Sequence, residues 1–123
     1  MTPEETVRSY WRAWTEHKLD HLLALLAPDF VSRSSLSQGR PADEERIAKG
    51  FQMFDQALPD LKEEVISLVV SGDAVACEVV ETATFTGPME LPSGVVTPTH
   101  RAYTLFVPSA VSNEANRANS ELM

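Results

Sequence analysis

A single carboxylate in an otherwise apolar alternating stretch is the first candidate for chemistry. Residues 75–85 predict a strand, one face of which carries Glu81 among small, apolar or aromatic neighbours: Val75, Cys77, Val79, Ala83 and Phe85. If this face lines a pocket, Glu81 is partly removed from water, and such a carboxyl group suits a general acid or base. The alternative is a strand end that twists outward and leaves Glu81 in water or paired with Arg101.

A later strand-like run, Thr97–Val107, carries the other titratable candidates. His100 lies on one face of this strand, while Arg101 and Tyr103 lie on the opposite face, because side chains alternate. His100 is a base that titrates near neutral pH, and either His100 or Tyr103 is expected at the mouth of a pocket. The alternative for His100 is a surface or interface residue.

No motif in the sequence predicts a metal or a cofactor. His17 and His21 are four residues apart, but they straddle a predicted helix break and have no third ligand. A glycine-rich phosphate loop and a nucleotide fingerprint are also missing. Cys77 is the one cysteine, so no internal disulfide is possible, and its apolar surroundings predict a core residue.

Three helices precede the strands that carry these side chains. Thr2 and Pro3 predict the start of the first, which carries Tyr10, Trp11 and Trp14 at helical spacing. A short leucine-rich helix ends before Pro28. A third helix begins at Pro41 or Asp43, runs through Ala57, and presents one apolar stripe: Ile47, Phe51, Phe54 and Leu58.

The hydrophobic period then changes from helical to two. Ile66, Leu68 and Val70 alternate, and Ser71–Asp73 predicts a hairpin turn into the strand that carries Glu81. A further short strand is expected at Phe30–Ser34. Helices followed by strands predict an α+β fold, with helices on one face of an antiparallel sheet.

The composition of the chain argues against two classes of partner, nucleic acids and membranes. Its 123 residues form one domain by length, and a net charge of −8 disfavours nucleic acid, which needs a basic surface. The sequence has no run of about 18 apolar residues and no basic cluster, so no membrane partner is expected. The acidic N-terminus has no signal-peptide pattern, and a cytoplasmic location follows as the simplest expectation.

Three segments in order resemble a known family: "YWRAWTEHKLDHLLALLAPDF", "FDQALPDLKEEV" and "TATFTGPMELPSG". They are similar to the SnoaL-like polyketide cyclases of the nuclear transport factor two-like superfamily. The resemblance implies a curved antiparallel sheet wrapped around the helices as a cone, a cystatin-like roll with a pocket inside. It covers roughly residues 7–107, which predicts a domain over 1–107 and a divergent tail over 108–123.

The family resemblance also implies a function. We expect a small, largely apolar organic molecule in the cone, with cyclase-type or isomerase-type acid–base chemistry. The alternative is a non-catalytic module for ligand binding or dimerisation. The expected ligand-contacting residues are these: Trp14, Phe30, Phe51, Phe54, Phe85, Arg101 and Tyr103.

Two branches of the superfamily suggest further roles. In the ketosteroid isomerases, a tyrosine at the position that matches Tyr10 donates a hydrogen bond to the oxyanion. That branch also needs a carboxylate in the region of Ser32–Ser35, where this sequence has none. The alternative for Tyr10 is that it packs the first helix on the sheet. A resemblance to the epoxide hydrolase branch would imply an acid–arginine–acid trio inside the cone. Arg101 and Glu81 could form part of such a trio. Phe85 occupies the position where many members carry a histidine.

The end of the chain departs from the family pattern. Relatives have one more strand after the segment that matches Thr97–Val107. This chain instead continues with Pro108 and an asparagine-rich segment, so we expect the last family strand to be missing. The tail should therefore leave the sheet after Val107 and cover the exposed edge or the cone mouth. A homodimer through the outer sheet face is expected, covering either Ile66, Leu68 and Val70 or the alternate pair Val65 and Val69.

Overall fold

The computed structural model describes residues 2–27 and 43–111. Helix α1 (Pro3–Thr15) begins at a capping box, in which Thr2 and Glu5 bond each other's backbone amides, as the predicted helix start requires. Helix α2 (Leu19–Ala24) follows directly, and α3 (Glu44–Ala57) begins at Asp43, whose side chain accepts from the Arg46 amide. The predicted strand at Phe30–Ser34 lies outside the described residues.

The sheet has three antiparallel strands in the order β1–β2–β5. They are β1 (Lys62–Ser71), β2 (Ala74–Thr84) and β5 (Ala102–Val111), and Gly72 provides the left-handed turn between the first two, with φ 61°. A separate hairpin, β3 (Met89–Leu91) and β4 (Gly94–Val96), forms around the predicted loop and ends before the predicted strand at Thr97. The α+β class, with N-terminal helices and a curved antiparallel sheet, is confirmed.

A bulge at Ile66 changes which residues of β1 face the core. Val65 pairs with Val79 and Ser67 with Glu78, so Ile66 is the extra residue. Leu68 then lies opposite Cys77 and packs on the core, together with Val65. The predicted outward sets Ile66–Leu68–Val70 and Val65–Val69 are therefore both wrong, because the bulge reverses the alternation part-way along the strand.

The core lies between the helices and the inner sheet face. Val7 and Trp11 of α1 and Phe51 of α3 pack with inner-face residues that are nearly inaccessible: Val75, Cys77, Val79 and Val107. Burial raises the pKa of the Cys77 thiol, in keeping with its predicted core position. Among the described residues, no helix is long and apolar enough to span a bilayer.

Strand β5 extends further than the sequence predicts. Pro108, Ser109, Ala110 and Val111 remain paired with β2, so the expected departure from the sheet after Val107 is wrong. Among the described strands β5 forms an edge, and an edge tolerates proline because no neighbouring strand needs its missing N–H. The strand thus crosses the boundary expected at residue 107, and the predicted tail from Ser112 onward lies outside the described residues.

Candidate functional site

A cavity of about 540 Å³ opens between the helices and the inner face of β2 and β5. Most of its wall is apolar and comes from both layers of the fold: Trp11, Trp14, Phe54, Leu58, Phe85, Met89, Ala102, Leu105 and Val107. Five polar side chains interrupt this wall: Glu63, Glu81, Thr99, Arg101 and Tyr103. An apolar enclosure with a few converging polar groups is the usual form of a small-molecule site.

Glu81 and Tyr103 form a hydrogen-bonded pair in this cavity. The Tyr103 hydroxyl donates to Glu81 Oε2 over 2.6 Å. The sheet register explains the contact, because Leu105 lies directly opposite Glu81 and Tyr103 opposite Ala83, which places both polar side chains on the inner face. The alternative of an outward twist of Glu81, or of its pairing with Arg101, is thus replaced by a bond to Tyr103.

The phenol of Tyr103 is held in its neutral form. Burial is the main cause that raises its pKa, and the hydrogen bond to Glu81 and the nearby carboxylate charges add to the effect. Tyr103 is therefore a permanent hydrogen-bond donor across the physiological pH range. It is not available as a general base, since it would first have to ionise.

Glu63 is a second carboxyl group in the cavity, and the sequence analysis missed it. It lies directly opposite Glu81 across β1 and β2, and only 8% of its surface is exposed. The Thr15 hydroxyl accepts from the Glu63 amide over 2.9 Å and lies 3.1 Å from the Glu63 carbonyl, which fixes this part of β1 against α1. Strand β1 thus supplies a second acid to the cavity wall beside Glu81.

His100 does not reach the cavity. The first part of the expected strand over 97–107 is not a strand, since β5 begins only at Ala102; Pro98 has no amide N–H, and His100 adopts a left-handed backbone with φ 60°. The side chain of His100 is exposed, while its amide donates to the Phe85 carbonyl over 2.8 Å. Of the two residues expected at the mouth, the structure places Tyr103 on the wall and His100 outside it.

Arg101 lines the rim of the cavity. Its side chain is exposed, and its carbonyl accepts from the Phe85 amide over 3.2 Å. This bond connects the end of β2 to the segment before β5 and holds Phe85 and Arg101 on the same wall. A guanidinium at the rim offers a fixed positive charge to an anionic or carbonyl oxygen.

The aromatic residues predicted to contact a ligand divide into two groups. Trp14, Phe54 and Phe85 line the cavity, and the Trp14 and Phe54 rings are 5.8 Å apart between centroids. Phe51 lies behind Trp14 at 4.6 Å and is 1% exposed, so it supports the wall without reaching its surface. Phe30 lies outside the described residues.

Tyr10 packs in the core rather than on the cavity wall. Its ring meets Trp11 edge-on, with centroids 5.0 Å apart, and the residue is 9% exposed. Tyr10 therefore packs α1 on the sheet, as one of its two predicted roles requires. The position of Tyr10 does not support the oxyanion contact that the isomerase resemblance implies. Trp11, Leu58 and Met89 join the wall without having been predicted.

Comparison with known proteins gives a family match and many similar folds. A model of the SnoaL-like polyketide cyclase family matches residues 4–105. A search of curated proteins found no significant match.

Three solved structures illustrate the similarity of fold. IdmH of Streptomyces antibioticus, a proposed polyketide cyclase, is 24% identical, with a TM-score of 0.76 over 97% of this chain and 88% of its own. AclR of Streptomyces galilaeus, a proposed hydroxylase, is 22% identical, with a TM-score of 0.76 over 95% of this chain and 74% of its own. A hypothetical protein of Catenulispora acidiphila with a ketosteroid isomerase-like fold, solved in complex with trimethylamine, is 18% identical, with a TM-score of 0.71 over 97% of this chain and 83% of its own.

Proposed function

Because the chain belongs to the SnoaL-like polyketide cyclase family, we propose that it binds a small, largely apolar ketone in the cavity and acts on it by acid–base chemistry. The reaction class is enolisation, used to close a ring or to move a double bond. The observation that carries the proposal is the Glu81–Tyr103 pair within an apolar wall. A carboxylate placed this way can take a proton from a carbon acid without competition from bulk water.

The walls favour a flat aromatic or polycyclic ligand. The cavity volume of about 540 Å³ lies inside the range of roughly 300–1,000 Å³ that is typical of small-molecule sites. Trp14, Phe54 and Phe85 offer ring faces and edges on which such a ligand stacks. Polar groups on one side of the cavity would orient the carbonyl end of the ligand.

Each polar side chain has a distinct part in the proposed reaction. Glu81 is the general base that removes a proton from the carbon next to the carbonyl group. Tyr103 holds the carboxylate in place and stays neutral, so it is a positioning residue. The positive charge of Arg101 at the rim attracts the oxygen-bearing end of the ligand.

The competing function is non-catalytic binding of the same class of ligand. Phe85 supports it, because many family members place a histidine at the corner where this chain has an apolar ring. A module of this kind would use the same aromatic wall, and it would bind ketones without exchanging their hydrogens.

Binding and catalysis can be measured separately with β-tetralone, a bicyclic aromatic ketone. The two tryptophans of the chain, Trp11 and Trp14, both line the cavity, so their fluorescence reports occupancy. Catalysis is measured by NMR as exchange of the hydrogens next to the carbonyl group for deuterium. We expect the wild-type protein to change its fluorescence on binding and to accelerate this exchange.

The variant Glu81→Gln keeps the size of the side chain and removes the base. Exchange should fall by at least about a hundredfold, the usual contribution of a general base, while the fluorescence change persists. Glu78→Gln is the matched control, since Glu78 lies on the same strand with an exposed side chain that bonds Ser67 at 2.9 Å. Binding without wild-type exchange would favour the non-catalytic module, and full exchange in Glu81→Gln would remove Glu81 from the mechanism.

A further inference from the structure

Arg101 lies at the open end of the cavity, on the segment that leads into β5. Its backbone is held on both sides, because its carbonyl accepts from the Phe85 amide over 3.2 Å and its amide donates to the Thr99 hydroxyl oxygen over 3.3 Å. Arg101, Thr99 and Phe85 all contribute to the cavity wall. The start of the Arg101 side chain therefore has a defined place at the rim.

The guanidinium of Arg101 has no acidic partner among residues 2–27 and 43–111. The ion pairs in that part of the chain join other residues: Arg8 to Glu4, His17 to Asp55 and Lys49 to Glu45. The Arg101 guanidinium is thus available to a ligand, and its planar array of N–H groups matches the two oxygens of a carboxylate.

Thr99 offers a second hydrogen-bond donor at the same place. Its oxygen accepts from the Arg101 amide, which leaves the hydroxyl hydrogen for an acceptor in the cavity. Both side chains are exposed, so an anion bound between them keeps part of its hydration. The cost of removing the anion from water is therefore low at the rim.

The inner end of the cavity does not suit an anion. The proposed base Glu81 lies there, bonded to Tyr103, and a carboxylate repels a second carboxylate beside it. The next residues of the inner sheet face, Val79 and Val107, are nearly inaccessible and apolar, and burial of a charge against them is unfavourable. A ligand with one anionic end should therefore place that end at Arg101.

The sheet sets the spacing between the two ends of the site. Arg101 bonds Phe85, which is four residues from Glu81, and four extended residues span roughly 13 Å. The side chains of Glu81 and Arg101 take up part of this span. The remainder fits a fused bicyclic or larger ring system with its polar groups at opposite ends, and the rings of Phe85 and Tyr103 form the wall between.

We propose that the ligand of the cavity is an aromatic keto acid, whose carboxylate binds Arg101 and Thr99 at the rim while its ketone lies beside Glu81. This inference rests on the proposed function and names the substrate class of the same site. The carboxylate orients the ligand and takes no part in the proton transfer, so Arg101 determines specificity and is not a catalytic residue.

Two ligands that differ only in charge test the proposal. One is β-tetralone with a carboxylate on its aromatic ring, at the end remote from the ketone, and the other is the methyl ester of this acid. Tryptophan fluorescence gives both dissociation constants. At low salt the wild-type protein should bind the acid about five- to tenfold more tightly than the ester. The net charge of −8 would by itself disfavour the acid, so such a preference requires a local cation.

Variants at Arg101 identify that cation. Arg101→Gln should abolish the preference for the acid, and Arg101→Lys should keep part of it, because lysine retains the charge without the planar pair of donors. Lys62→Gln is the matched control, since it removes the same charge from an exposed position on β1, and it should keep the wild-type preference. An ester that the wild type binds as tightly as the acid, or a preference that survives Arg101→Gln, would overturn the inference.

Deuterium exchange separates this inference from the proposed function. Exchange of β-tetralone by a wild-type protein that does not prefer the acid would overturn the substrate class alone. A preference that depends on Arg101, in a protein that accelerates no exchange, would support the anion site and contradict the proposed reaction. Where exchange occurs, Arg101→Gln should raise the KM for the keto acid, because the contact is remote from the reacting carbon. A loss confined to kcat would overturn the specificity role.

Discussion

Tyr103 should behave unlike an ordinary tyrosine when the pH is raised. A phenol normally ionises near pH 10, but burial and the bond to Glu81 raise the pKa of Tyr103. Because the pKa of Tyr103 is higher in the folded than in the unfolded state, its contribution to the free energy of unfolding is fully present below the ordinary pKa of tyrosine. This contribution is lost as the pH rises above that value. An alkaline absorbance titration of the wild type, compared with Tyr103→Phe, should show that the missing phenol is one that resists ionisation.

The same comparison exposes the alternative. If the wild type and Tyr103→Phe differ by a phenol that ionises near pH 10, Tyr103 is not held neutral by its surroundings. The Glu81–Tyr103 contact would then not exist in solution, and Tyr103 would not be the residue that positions Glu81.

Individual side chains show where sequence reasoning works and where it stops. Glu81 and Tyr103 were predicted because their strands alternate regularly and place them on inward faces. Glu63 was not, because Lys62–Glu64 looks like a solvated charged run and the bulge at Ile66 conceals the alternation of Leu61, Glu63 and Val65. His100 was misplaced because its backbone conformation is set by the loop and not by a strand period.

At the level of elements, the corner after β2 is held against the end of α3 by Gly87. The amides of Thr86 and Gly87 both donate to the Ala57 carbonyl over 3.1 Å. A Cβ on Gly87 would lie 2.0 Å from the Gln56 carbonyl oxygen, a backbone atom that cannot easily move. Gly87→Ala should therefore destabilise the fold by about 1–3 kcal/mol, measured by urea unfolding.

Gly50 provides the matched control for that substitution. It lies within α3, and a Cβ there meets nothing within 4 Å. Gly50→Ala should stabilise the protein by about 0.5–1 kcal/mol, because alanine favours the helix. Equal effects of the two substitutions would show that the corner does not pack on α3 as described.

The elements themselves were largely predictable, and their ends were not. Thr2 and Asp43 cap helices as their side chains indicate, and Gly72 makes the hairpin turn. The end of β5 was misjudged because Pro108 breaks only strands that need its amide, and the position of β5 at an edge depends on the tertiary arrangement.

For the whole molecule, we propose a homodimer formed through the outer sheet face. Val69 and Phe106 are 68% and 65% exposed there, although the apolar set differs from the one that the alternation of β1 predicts. Phe106→Glu should shift a sedimentation-velocity profile from dimer to monomer, since a charge on this face opposes its burial.

The control for this experiment places the same charge elsewhere. Val95→Glu lies on the separate hairpin β3–β4, where the side chain is 66% exposed, and should leave the profile unchanged. A wild-type protein that sediments as a monomer at micromolar concentration would contradict the dimer, and the outer face would then be simply solvated.

We propose that the cavity beside Glu81 is the ligand site, and a crystal of the protein soaked with β-tetralone can show the ligand there. The ring system should lie against Trp14, Phe54 and Phe85, with the carbonyl group directed at the carboxyl side of the cavity. The carbon next to the carbonyl should be within about 3–3.5 Å of Glu81, the distance of a reacting pair. A cavity closed by side chains, or a ligand bound only on the outer face of the sheet, would show that the cavity beside Glu81 is not the ligand site.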